Sequence, residues 1–131
     1  MIGLDSTFLI DFLRNKPEAV RIGQTFRNEE LATTSVNVFE VVFGILRKKN
    51  NPDRELAELM KLLDRLVVYH LDIPTSFKSA EIACQLTFKG MEIESEDCLI
   101  GGIFLVNGCT TIITRDKEHF QRIKGIKILG Y

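Results

Sequence analysis

The sequence predicts an α/β fold, a three-layer α/β/α sandwich around a central parallel sheet. Strand-like and helix-like segments alternate along the chain, which implies parallel strand pairing through helical crossovers. Acidic residues fall where strand-like segments end or helices begin. A chain of 131 residues, 45% hydrophobic and 27% charged, fits a single domain, 1–131, with enough core to hold without disulfides.

Each element carries its own signal. Ile2-Gly3-Leu4 is a short apolar run that stops at Asp5. From Ser6 to Arg14, Phe8, Leu9, Phe12 and Leu13 recur at helical spacing. Pro17 suits a first turn, and that helix is expected to run to Asn28. Leu31 to Thr34 reads as a strand. Val38 to Lys49 reads as a helix with Phe39, Val42, Phe43 and Leu46 on one face, broken by Asn50-Asn51-Pro52. A helix follows to Leu63. Leu66 to Leu71 is β-branched and aromatic, hence a strand. Pro74 opens a helix that ends near Gly90, and the helix from Glu96 to Asn107 is stopped by Gly108. Thr110 to Thr114 is a strand, Lys117 to Arg122 a short helix, and Lys127 to Leu129 a last strand.

Composition excludes some function classes. The formal net charge of −1 gives no global positive field, so polyanion binding requires a local patch. Cys84, Cys98 and Cys109 form no CxxC pair, and with His70 and His119 they argue against a zinc site. They read as small buried hydrophobes in a reducing compartment. No charged segment precedes a long apolar run, and no run is long enough to span a bilayer. The expected localisation is cytoplasmic, with no membrane partner.

Four acids carry the functional information. Asp5 ends the first strand and Asp116 follows the Thr110–Thr114 strand. Glu40 and Asp97 are expected in the first turns of their helices. In a parallel sheet, strand carboxyl ends and helix amino ends share one edge, where open α/β sheets bind ligands. Each acid also has a structural explanation. Asp5 or Ser6 can cap a helix, Asn37 and Glu40 have capping-box spacing, Ser95 can cap with Asp97 favoured by the helix dipole, and Asp116 can cap the Lys117 helix. The joint pattern favours chemistry. Two carboxylates about 4 Å apart repel by roughly 4 kcal/mol at an effective dielectric near 20. Such a cluster takes up protons or binds a cation, and all-oxygen ligation selects Mg²⁺ or Mn²⁺. Those ions activate water and stabilise charge on phosphate, which points to phosphodiester hydrolysis.

Four segments resemble the PIN-domain ribonucleases, and specifically the VapC-type toxins. They are Ile2 to Asp11, Thr34 to Gly44, Glu96 to Gly102 and Ile112 to Phe120. The resemblance covers essentially the whole chain in length and element order. It implies a metal site built from Asp5, Glu40, Asp97 and Asp116, with Ser6 and Thr114 supporting the acids through hydrogen bonds. It implies a PIN-like parallel sheet, endoribonuclease activity on RNA, a homodimer and a small antitoxin protein as partner. The chain departs from the family in three places. Asp5-Ser6-Thr7 stands where Asp-Thr-Ser is common. Cys98, Gly101 and Gly102 stand where small alanines are common. Asp116 stands where many relatives carry Asn. The two helical glycines cost about 2 kcal/mol against alanine and let the helix approach the sheet.

Two other functions remain open from the sequence. One is a non-catalytic PIN-fold module that binds protein or RNA, with the acids acting as caps. The other is a phosphatase using Asp5 as nucleophile, which lacks the second Asp expected at the position of Thr7. Arg14, Lys16, Arg115 and Lys117 are candidate RNA contacts. Arg47-Lys48-Lys49 reads as dipole complementation and solubility or, alternatively, as a phosphate patch. His119 reads as a partly exposed helix residue or as an aid to proton transfer. Phe8, Phe12, Phe39 and Phe43 read as core or dimer interface.

Overall fold

The computed structural model describes residues 1–48 and 51–131, and the expected end of the third helix at Lys49 and the break at Asn50 fall outside the described residues. Strand β1 (Ile2–Leu4) leads into helices α1 (Ser6–Leu13) and α2 (Pro17–Thr25). Strand β2 (Leu31–Thr34) leads into α3 (Ser35–Leu46) and α4 (Asp53–Leu63). Strand β3 (Val67–Tyr69) leads into α5 (Ile73–Phe88) and α6 (Ser95–Val106). Strand β4 (Thr111–Ile113), α7 (Lys117–Phe120) and strand β5 (Lys127–Leu129) complete the order. The sheet runs β3-β2-β1-β4-β5 with every pairing parallel.

That order places β1 in the middle. Gly3 pairs with Ala32 of β2 and with Ile112 of β4. The chain works outward through β2 and β3, then returns to the other side of β1, so the order reverses between β1 and β4. Asp5 therefore emerges at the crevice where such sheets take ligands.

Alternation along the strands feeds two cores. Ile2, Leu4 and Ile113 face Phe8, Leu9, Val41, Ile45 and Leu59 from α1, α3 and α4. Ala32 and Ile112 face Ile82, Ile100 and Phe104 from α5 and α6, with Phe120 of α7. Two helical layers thus enclose the sheet. The close approach that matters at the sheet is Gly3, where a Cβ would stand 2.8 Å from the Phe104 ring. The two α6 glycines serve other neighbours. A Cβ on Gly102 would run into Ser79 of α5, and one on Gly101 would stand 2.7 Å from Ile123. They let α6 approach α5 and the segment after α7, rather than the sheet.

Several local expectations need correcting. Helix α3 begins at Ser35, not Val38, because Thr34 caps it by accepting from the Asn37 amide. Asn37 is therefore not a cap, and Glu40 lies in the second turn. Ser95 does not cap α6; Glu94 occupies the cap position without a side-chain hydrogen bond. Of the expected apolar face of α3, Val42 packs at the edge of the core, and Phe39, Phe43 and Leu46 do not belong to it. Phe39, Phe43 and Leu46 are exposed, and Val41 and Ile45 are buried instead. Cys84 is exposed, whereas Cys98 and Cys109 are buried as expected. No helix among the described residues is long and apolar enough to cross a membrane.

The glycine geometry gives a paired prediction. Gly102→Ala is expected to destabilise the fold by about 1–3 kcal/mol, since the added methyl meets the Ser79 backbone amide at 2.8 Å. Gly44→Ala, with nothing within 4 Å of its Cβ, is expected to stabilise by up to about 1 kcal/mol. Denaturant unfolding midpoints of the two variants check the opposite signs.

Candidate active site

Asp5 leaves β1 with its carboxylate 2% exposed and has to be satisfied by protein donors. It caps α1 by accepting from the Thr7 amide at 3.4 Å. Its Oδ1 accepts from the Asn37 side-chain amide at 3.0 Å, and Ser6 Oγ stands 3.5 Å away. Its Oδ2 accepts from Thr114 Oγ1 at 2.8 Å and from Thr7 Oγ1 at 2.9 Å. These donors come from the ends of β1, β2 and β4, so the register of the sheet sets the cradle.

The other three acids arrive from separate elements. Glu40 extends from α3, and its Oε1 accepts from Ser6 Oγ at 3.0 Å. Asp97, buried in the first turn of α6, and Asp116, the cap of α7, both reach His119. His119 Nδ1 lies 3.0 Å from Asp97 Oδ2 and 2.9 Å from Asp116 Oδ2. One ligand atom each from Asp97, Asp116 and His119 fall within 4.8 Å of one another.

The crowding is visible in the proton affinities. Burial pushes Glu40 up to about 7, with the charges of Asp5, Asp97 and Glu96 adding to it and the Ser6 hydroxyl opposing. Burial likewise pushes Asp97 up to about 6, helped by Asp116 and Asp5 and opposed by His119. Burial pulls His119 down, but Asp116 and Asp97 outweigh it and hold the imidazole above its ordinary value. The group holds excess negative charge short of a counterion.

Asp5 and Glu40 share the Ser6 hydroxyl, Thr114 links Asp5 to the Asp116 amide, and Asp97 and Asp116 meet at His119; those within ligand reach of one another are Asp97, Asp116 and His119, without Asp5 or Glu40. Sequence reasoning missed Asn37 as a donor to Asp5, named Ser6 rather than Thr7 as the supporting hydroxyl, and left His119 as either a partly exposed helix residue or an aid to proton transfer. The spacing Asp116–His119 was the available signal, since a capping acid in this short turn brings the third residue's ring beneath its carboxylate. Two cations expected to meet RNA are engaged elsewhere. Lys16 and Arg115 both contact Asp11, a carboxylate 1% exposed. A cleft of about 1190 Å³ lies between α1, α3 and α4, where Arg14, Arg47, Arg54, Arg65 and Arg115 line it together with Glu55 and Glu58; the four site acids do not line it.

The PIN domain family model matches residues 2–126. Two curated relatives, from Salmonella typhimurium and Shigella flexneri, each carry the name tRNA(fMet)-specific endonuclease VapC. They are 28% and 26% identical to this chain over 95% of its length, and the matches cover 93% and 92% of theirs. Among solved structures, VapBC2 from Rickettsia felis bound to a promoter DNA fragment superposes with a TM-score of 0.88 at 19% identity, covering 100% of this chain and 99% of that one. DNA-bound VapBC from Salmonella typhimurium superposes with a TM-score of 0.86 at 26% identity, covering 98% and 96%.

The raised proton affinities predict a pH dependence for the metal-free chain. Glu40 and Asp97 hold protons in the folded state that the unfolded chain has already released, and His119 does the same at higher pH. Stability is therefore expected to fall, by about 1–3 kcal/mol, as pH rises from 5 to 7.5. Glu40→Gln removes the largest contribution and flattens the slope. Unfolding free energies measured in chelator across that range test the sign.

Proposed function

The chain belongs to the PIN domain family, and from that premise we propose that it is an endoribonuclease, the toxin of a toxin–antitoxin pair, that hydrolyses RNA phosphodiester bonds with a divalent ion, Mg²⁺ or Mn²⁺, at Asp5, Glu40, Asp97 and Asp116. The observation that carries this is the meeting of four carboxylates from four elements at the reversal point of the sheet. Helix capping accounts for Asp5 and Asp116, which do cap helices. It leaves Glu40, in the second turn of α3, and Asp97, which lies in the first turn of α6 but not at its cap position, without a capping role. Those two carry the raised proton affinities.

The donor set suits a hard cation. Carboxylate oxygens dominate it, and His119 adds a nitrogen that favours Mn²⁺ over Mg²⁺. When bound, such an ion supplies an activated water and charge stabilisation on the phosphate. The chain's own residues do the rest. Thr7, Asn37 and Thr114 fix both oxygens of Asp5, so one carboxylate has a set direction. Ser6 holds Glu40 beside it. In the metal-free chain burial pushes the Glu40 carboxyl up to about 7, so it holds a proton that has to leave when the carboxylate takes a cation. His119 can accept or return a proton at Nδ1 between Asp97 and Asp116.

A small antitoxin protein is the expected inhibitor, and tRNA(fMet), the substrate named for the two relatives, is the first RNA to test. The expected assembly is a homodimer. Its candidate face is the outer side of α3, where Phe39 and Phe43 stack with centroids 6.1 Å apart. Both are more than half exposed, as is Leu46. Leu71, leading to α5, donates its amide to Ser35 Oγ at the start of α3, and Ile73 and Phe77 of α5 are exposed as well.

Two experiments follow. Asp5→Asn and Asp97→Asn keep shape but remove one charge each. Each is expected to lower cleavage of tRNA(fMet) and a panel of structured RNAs by roughly a thousandfold, the rate equivalent of about 4 kcal/mol. Wild-type cleavage should stop in chelator and return with Mn²⁺. Unchanged cleavage by Asp97→Asn, or insensitivity to chelator, overturns the metal-carboxylate mechanism. Separately, sedimentation of the partner-free chain is expected to give a dimer at micromolar concentration, with Phe39→Asp plus Phe43→Asp monomeric and folded.

A further inference from the structure

Asp11 lies in the last turn of α1, two turns from Asp5, and the reaction described above does not use it. A carboxylate 1% exposed is costly unless it is paired. Asp11 has three partners from three segments. Lys16 Nζ stands 3.0 Å from Oδ1. Arg115 Nε stands 2.7 Å from Oδ2, and the Tyr131 hydroxyl donates to the same oxygen at 2.8 Å. Burial pushes the Asp11 carboxyl up, but Tyr131, Lys16 and Arg115 outweigh it and hold the group below the usual carboxylate range. Tyr131 is fixed in turn by its edge-on packing against Phe8, with centroids 5.5 Å apart.

The position of Arg115 gives this cluster a consequence for the site. Arg115 is the middle residue of Thr114-Arg115-Asp116, and both neighbours belong to the carboxylate group. Thr114 Oγ1 donates to Asp5 and accepts from the Asp116 amide at 2.9 Å. The Arg115 amide donates to Thr7 Oγ1 at 3.1 Å, and that hydroxyl donates to Asp5. The backbone of Arg115 thus touches the site on one side while its guanidinium reaches back over α1 on the other. The loop itself is exposed at Arg115, so packing alone does not hold it.

We propose that Asp11, Arg115 and Tyr131 form a clamp that positions the Thr114–Asp116 segment against Asp5, which makes them positioning residues for this site. For the reaction served, the proposal rests on the ribonuclease reading above; the clamp geometry stands apart from it. A purely structural role predicts lost stability with an unaltered site in the molecules that remain folded. A clamp predicts a loosened loop and a weaker cation site.

The test uses the full chain, metal-free and then titrated with Mn²⁺ alone. In Arg115→Ala, amide hydrogen exchange at Arg115 and Asp116 is expected to rise about tenfold, with amides of β1 and α6 unchanged. Mn²⁺ affinity, measured by calorimetry, is expected to fall about tenfold, the lower end of what groups that orient metal ligands govern. Charge alone predicts the opposite sign, because removing a cation from beside the acids tightens Mn²⁺ binding. Tyr131→Phe changes no charge and should shift both readouts the same way by about twofold; it also serves where Asp11→Asn fails to fold. Arg115→Lys should recover part of both effects. Where Asp11→Asn folds, its effect should be smaller in the Arg115→Ala background than in the wild type, since the contact between the two side chains is already broken there. Unchanged exchange at Arg115 and Asp116, or tighter Mn²⁺ binding in Arg115→Ala, overturns the clamp. If the wild-type chain binds no Mn²⁺, the metal reading fails, and the exchange data still decide the clamp.

Discussion

A carboxylate buried at the end of the central strand has to collect donors from its surroundings, and Asp5 collects them from segments far apart in sequence. Thr7 follows it, Asn37 follows β2 and Thr114 follows β4. Those three positions converge because β2 and β4 both pair with β1, in parallel, at Gly3. A one-residue slip of either strand would carry its donor away and turn its core side chains to the wrong face. The hydrogen bonding of Asp5 and the two-sided packing of the sheet are therefore one constraint. Gly3 makes it feasible on the α6 side by leaving room for the Phe104 ring.

The same arrangement carries a built-in conflict. Glu40, Asp97 and Asp116 arrive around a charge that is already buried, and the protein supplies few cations to meet them. His119 is the counter-charge that touches two of the acids. Arg115, the nearest arginine in sequence, is turned away toward Asp11. Two carboxyls respond by holding protons well above their usual range. A fold selected for stability alone would have neutralised or dispersed this group, and departures from local optimality of this kind concentrate at functional sites.

Much of this was legible in the sequence, and the failures share a cause. The succession of strands and helices along the chain and the location of the four acids follow from periodicity and punctuation, which are local; the order of strands within the sheet, with β1 in the middle, does not. The misread residues are those whose partners are distant. Asn37 has ideal spacing for a cap, yet Thr34 takes that role and frees Asn37 to donate to Asp5. The α3 stripe of Phe39, Phe43 and Leu46 is apolar at helical spacing, but the neighbouring stripe of Val41 and Ile45 is the one that meets the sheet. Periodicity identifies an amphipathic face without saying which of two adjacent apolar faces turns inward. Asp11 gave no signal because its partners are five, 104 and 120 residues away.

Charge segregation links the site to a polyanionic substrate. The chain as a whole is near neutral, so long-range attraction for RNA is absent. The metal-free acidic crevice repels phosphate, whereas the separate cleft is lined by Arg14, Arg47, Arg54 and Arg65, in or just after α1, α3 and α4, interleaved with Glu55 and Glu58. Beyond the screening length these opposite local fields cancel, and they act on a polyanion only at contact. On the reading proposed above, a divalent cation at the acids would remove the repulsion at the crevice, so the ion that supplies the chemistry would also make the crevice accessible to an RNA backbone.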